Sequence, residues 1–95
     1  MTADDRYNPR MIDLPQGDRP RERLLARGPA ALATAELLAI VLGTGVKDEN
    51  VVRVSQRLLS TFGGLSGLAQ ASVGELMAAR GLGPAKAAQL KAALE

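Results

Sequence analysis

Between Pro20 and Leu94 the apolar residues recur at three- and four-residue spacing, and short glycine- or proline-bearing stretches interrupt them. That period predicts a succession of short helices. The clearest is Val51 to Phe62. There Val51, Val54, Leu58 and Leu59 share one face, Arg53 and Arg57 lie one turn apart on another, Asn50 is the N-cap, and Gly63-Gly64 is the stop. Upstream, Ala35 to Leu42 reads as a strongly apolar helix buried on most sides, with Thr34 as N-cap and Gly43-Thr44-Gly45 as terminator. Pro20 to Arg27 reads as a shorter helix that starts after Asp18 and ends at Gly28 in an αL cap, and Pro29 bars its continuation. Val46 to Asn50 is a polar loop. Leu65 to Ala69 is one helical turn or two, weakened by Gly67.

The last two predicted helices organise the chain. Val73 to Ala79 follows Ser72, which stands three residues before Glu75, the spacing of a capping box. Pro84 to Leu94 follows the turn Gly81-Leu82-Gly83, with Pro in its first turn and small residues Ala85, Ala87 and Ala88 that permit close helix approach. This is the pattern of a helix-hairpin-helix over residues 73–94. Glu36 to Gly45 repeats it weakly: a Glu-led apolar helix, a Gly-x-Gly, then an amphipathic helix. The two hairpins are expected to form a pseudo-twofold pair that buries each other's apolar faces.

Composition narrows the chemistry. With 95 residues, 46% of them hydrophobic and mostly Ala, Leu and Val, the chain is one small domain with a modest core. Its aromatic residues are Tyr7 and Phe62, and Phe62 is expected to anchor the core. It has no cysteine and no histidine, which excludes Cys/His zinc sites and Ser/His or Cys/His catalysis within this chain. The aromatic platform on which single-strand binders stack bases is also missing. Asp48 and Glu49, adjacent in a loop, are a poor Mg²⁺ site and read as solvated. The chain is therefore not expected to be an enzyme, and no cofactor or metal is expected. The Met1 to Arg10 stretch carries no apolar run of a signal peptide, and Ala30 to Leu42 is too short and too interrupted to span a bilayer. A cytoplasmic protein without membrane contact is expected.

The net charge of +2 is compatible with a polyanionic partner. Six of the 12 Lys and Arg residues, Arg6, Arg10, Arg19, Arg21, Arg23 and Arg27, lie in the first third, interleaved with Asp13, Asp18 and Glu22. Residues 1–18 read as a flexible or extended arm pinned by Ile12 and Leu14. The candidate binding residues lie later. Around Gly81, Leu82, Gly83 and Ala85, successive amides at a helix N-terminus suit a phosphate oxygen, and Lys86 and Arg80 add charge beside them. Gly43, Thr44 and Gly45 form the possible second hairpin turn. Thr44 and the nearby acids suit that turn better to a structural role.

Leu14-Pro15, Arg19-Pro20-Arg21-Glu22-Arg23-Leu24-Leu25, Gly28, Ala35-Glu36-Leu37-Leu38-Ala39-Ile40, Gly43-Thr44-Gly45, Phe62-Gly63-Gly64-Leu65 and Gly81-Leu82-Gly83-Pro84-Ala85-Lys86-Ala87 together resemble the N-terminal region of RadC-family (UPF0758) proteins. The resemblance runs from about Ile12 to the end. It implies a bacterial cytoplasmic protein with a DNA-repair label, whose helical region precedes a JAB/MPN-type domain with a zinc-hydrolase-like constellation that this chain lacks. Glu95 falls inside a helix that the family pattern continues, so a truncated helical domain is expected. The family pattern commonly has Ser-Asp where this sequence has Ala33-Thr34, which weakens the helix cap there.

The sequence thus points to an all-α fold, a small bundle of about five helices over residues 19–95, with one clear and one degenerate helix-hairpin-helix in a RuvA-domain-2-like or SAM-like architecture. The expected function is weak, sequence-independent DNA binding through hairpin amides. The rival is a protein-interaction or scaffolding domain that positions the JAB/MPN domain.

Overall fold

A computed structural model describes residues 19–95. The expected arm, its anchors Ile12 and Leu14, and the helix start at Asp18 lie outside the described residues. The fold is all-α, and the described residues form six helices, α1 (Pro20–Arg27), α2 (Thr34–Leu42), α3 (Val51–Phe62), α4 (Gly64–Gln70), α5 (Val73–Met77) and α6 (Pro84–Leu94), with a 3-10 turn at Pro29–Ala31. Among the described residues no helix is long and apolar enough to cross a membrane.

Local chemistry sets most of the boundaries. Asn50 caps α3 by accepting from the Arg53 amide at 2.9 Å, and Gly63 ends that helix in the αL region. Ser72 and Glu75 form the full capping box: Glu75 N–H donates to Ser72 Oγ at 3.1 Å, and Ser72 N–H donates to Glu75 Oε1 at 2.7 Å. The hydrogen bond from the Ser72 amide, and after it the Ser72 side chain, hold the Glu75 carboxyl below its ordinary pKa.

Three boundaries differ from expectation. The N-cap of α2 is Ala33, with Thr34 already helical, because the Glu36 carboxylate reaches back to the Ala33 amide at 2.9 Å and sets the register. Ala33 has no side-chain acceptor, so only that return half of a box exists. Gly28 closes α1 with φ 84° but ψ 169°, outside the αL region, because the chain runs extended into the 3-10 turn. α5 ends at Met77, two residues early, as Ala78 and Ala79 tighten toward the turn.

The core is aliphatic. Leu38, Leu42, Val51, Val54, Leu58, Leu68, Leu76, Leu82, Ala87 and Leu90 form one buried cluster drawn from α2 to α6. Burying each large side chain contributes about 1.5–3 kcal/mol. Phe62 is only partly buried and packs on the edge of the cluster, so leucines anchor it instead. Ser55 is fully buried and spends its hydroxyl on the Val51 carbonyl at 2.7 Å. α2 packs on α3, α5 on α6, and α6 also lies against α2 and α4. Arg23 of α1 is tied to Glu36 of α2 at 2.6 Å, which holds the Glu36 carboxyl below its ordinary pKa.

Candidate nucleic-acid interface

The packing of α6 against α2 brings the two glycine turns together. Gly45 and Val46 from the first, and Gly81, Leu82, Gly83, Ala85 and Lys86 from the second, line one shallow open depression. Gly81 has φ +99°, and a Cβ there would come within 3.1 Å of Val54 Cγ1, so the chain can turn over α3 here only with glycine. Leu82 then drops into the core with 3% of its surface exposed, and its amide donates to the Ala79 carbonyl at 3.2 Å. Leu82 therefore offers a ligand neither side chain nor amide; it holds the turn down.

Gly83 differs. It is the N-cap of α6 in ordinary extended backbone, φ −84° and ψ −176°, and a Cβ would meet nothing within 4 Å. No side chain caps α6, and Pro84 brings no donor. The first-turn amides of Ala85 and Lys86 therefore lack the partner that a Ser, Thr or Asp N-cap would supply.

Lys86 crosses to the first turn. Its ammonium donates to the carbonyl of Thr44 and, at 2.8 Å, to Thr44 Oγ1, a link spanning 42 residues. Among the described residues no carboxylate lies within ion-pairing distance of it. Burial consequently pushes the Lys86 pKa down with nothing opposing it. One of its three donors is left over.

Arg80 is placed differently from Lys86. Its carbonyl accepts from Arg57 Nη2 at 2.8 Å, and its exposed guanidinium lies 3.8 Å from Asp48 Oδ2 and 3.7 Å from Glu49 Oε1. Arg57 also grips both oxygens of Glu49, at 2.8 and 3.2 Å. That grip lowers the Glu49 pKa and raises that of Arg57. Asp48 and Glu49 thus serve as partners for arginines, and among the described residues no cluster of three metal-ligating side chains occurs. Among the cross-links the sequence did not foretell are those of Arg57, assigned only to a polar helix face, and of Gln89, whose amide donates to the Val41 carbonyl at the end of α2. Residues 23 and 48 positions apart carry no local signal of such pairing.

A family model described as UPF0758 N-terminal matches residues 11–88. The UPF0758 protein of Methylibium petroleiphilum is 60% identical over 85 residues, covering 90% of this chain and 38% of its own length. That of Roseiflexus castenholzii is 57% identical over 94% of this chain and 38% of its own length. A third, from Desulfitobacterium hafniense, is 59% identical over 90% of this chain and 38% of its own length. The chain thus spans 38% of the length of these relatives. No solved structure matches.

Proposed function

We propose that this chain, which belongs to the UPF0758 N-terminal family, is a sequence-independent DNA-binding module that holds backbone phosphate where its two glycine turns meet. The observation that carries the proposal is Lys86: a partly buried ammonium without a carboxylate partner among the described residues, in the first turn of an uncapped helix. A cation in a first helical turn works against the macrodipole. A phosphate there would offset both the desolvated charge and the open amides of Ala85 and Lys86. Gly83 fits the same reading, because the fold leaves room for a side chain there and glycine lets a ligand come close to the backbone. Gly81 shapes this turn, Leu82 pins it, Thr44 holds Lys86 in place, and Gly45 lines the adjoining wall. Arg80 supplies a smaller share, its charge being divided with Asp48 and Glu49.

So few phosphate contacts imply dissociation constants on the order of 10⁻⁴–10⁻⁶ M that rise steeply with salt. The test is fluorescence anisotropy of labelled duplex and branched DNA, titrated with this chain and with Lys86→Gln at two salt concentrations. Salt-sensitive saturation that Lys86→Gln weakens while circular dichroism is unchanged supports the proposal. Absence of binding at low salt defeats it and leaves the scaffolding role, in which this domain positions the remaining part of the full-length relatives. One observation favours that second reading: Val73 and Met77, one turn apart on α5, are both more than 40% exposed.

A further inference from the structure

The polar side chains of α6 are Lys86, Gln89 and Lys91, and each is turned back into the domain. Lys86 and Gln89 donate to the Thr44 and Val41 carbonyls on the side of α2. Lys91 reaches the other way, to the carbonyls of Ala69 at 2.6 Å and Ala71 at 2.8 Å, where α4 ends. At about 100° per residue, Ala88 and Ala92 fall between these two flanks, opposite the buried Leu90. The exposed residues of α6 are therefore Pro84, Gln89 and alanines, with no charge among them. α5 packs against α6 and adds Val73 and Met77, both exposed. A solvated helix face in this fold is different: the exposed positions of α3 are Arg53, Gln56, Ser60 and Thr61. A helix that is apolar on every side is ordinarily a buried one. Small residues on such a face let a second element approach closely.

The relatives carry an element that can cover it. The match covers 38% of each full-length relative, and the matching family model is described as the N-terminal one. The larger part of those proteins is thus joined to this domain on its C-terminal side, where α6 lies. Tethering holds such a part at an effective concentration on the order of millimolar. An apolar patch too small to capture a free partner is then enough. We infer, deepening the scaffolding reading, that the α5–α6 face carrying Val73, Met77, Ala88 and Ala92 is where the remaining part of the full-length protein docks, through an uncharged apolar surface of its own. Lys86 lies on another flank of α6, so docking does not draw on its ammonium.

Hydroxyl-radical footprinting read by mass spectrometry tests this in the absence of DNA. It is run on this chain alone and on this chain joined to the remaining part of the Methylibium petroleiphilum relative. Met77 is the reporter, and Leu25 of α1, 79% exposed, is the control. In the joined protein Met77 is expected to react about tenfold more slowly, as when an undocked state is about 10% populated. Leu25 is expected to react as in the free chain. Ala88→Glu puts a charge on the face and is expected to restore the Met77 rate, with circular dichroism unchanged. Protection of Leu25 instead, or of Met77 equally in Ala88→Glu, overturns the choice of face and keeps the scaffolding reading. Unchanged rates throughout the chain overturn both. Met77 protection already present in the free chain, where sedimentation shows a dimer, assigns the face to a second copy and overturns the inference. The phosphate reading is tested separately by Lys86→Gln, and its failure leaves these rates as they are.

Discussion

The α2–α3 and α5–α6 hairpins both turn on Gly-x-Gly, and in both the first glycine has positive φ, +83° at Gly43 and +99° at Gly81, but they differ at the second. In the first turn the later glycine is required as well: a Cβ on Gly45 would lie 2.2 Å from the Glu49 carbonyl oxygen. In the second turn only the earlier one is constrained, because Gly81 combines positive φ with a close approach to Val54. Gly83, the counterpart of Gly45, is sterically unconstrained. The middle residues are exchanged in role too. Leu82 is a core side chain, whereas Thr44 is exposed and receives Lys86. A repeated motif thus frames two different turns, one packed for structure and one with an open rim.

Substituting the counterpart glycines gives the widest expected split. Gly45→Ala should destabilise by about 4 kcal/mol, above the usual cost of overpacking because the obstacle is backbone. Gly83→Ala should stay within about 0.5 kcal/mol of the parent in urea unfolding, while weakening DNA binding by crowding the rim. If Gly83→Ala binds DNA as the parent does, glycine at that position has no ligand to admit. Next in size is Leu82→Ala, expected to cost about 3 kcal/mol by leaving a cavity under the turn. Thr44→Val should cost less than about 1 kcal/mol, because the Thr44 carbonyl still receives Lys86.

Those pairs also mark what the sequence made legible. The Asn50 cap and the Ser72–Glu75 box were both readable, since each rests on residues within four positions of one another. The start of α2 was readable as well, but through the wrong residue. Glu36 points to a cap three residues earlier, at Ala33, and the better capping chemistry of Thr34 obscured it. The meeting of the two turns was not readable. It depends on α6 lying across α2, and the bonds that fix it, Lys86 to Thr44 and Gln89 to Val41, join positions more than 40 residues apart.

The link between the hairpins can be loosened at Arg57, which ties the first loop to the second through Glu49 and the Arg80 carbonyl. Arg57→Met should cost about 1 kcal/mol, discounted because the pair is partly solvated. The same variant should change the response to acid. Arg57 holds the Glu49 carboxyl below its ordinary value of 4.5. The resulting stability is therefore present above that value and disappears as pH falls through the depressed folded-state pKa. Urea midpoints compared between pH 6 and pH 3 should converge in Arg57→Met relative to the parent. An unaltered acid dependence would mean that the Arg57–Glu49 pair contributes nothing in solution.

The helices that open the two hairpins differ by a single hydroxyl. α5 starts at Ser72 with both halves of its box made, whereas α2 starts at Ala33 with only the Glu36 half. Ala33 already has cap geometry, φ −72° and ψ 159°, against φ −73° and ψ 161° at Ser72. A serine placed there needs no backbone adjustment to accept from the Glu36 amide. Ala33→Ser is therefore expected to stabilise the chain by about 1 kcal/mol. Ser72→Ala should destabilise it by a similar amount. Thermal or urea unfolding of both variants decides the matter. Opposite shifts of equal size would show that the two starts are the same device in two states of completion. A neutral Ala33→Ser would show that the Arg23–Glu36 ion pair, which shares the same carboxylate oxygen, already fixes the start of α2 without help from a cap.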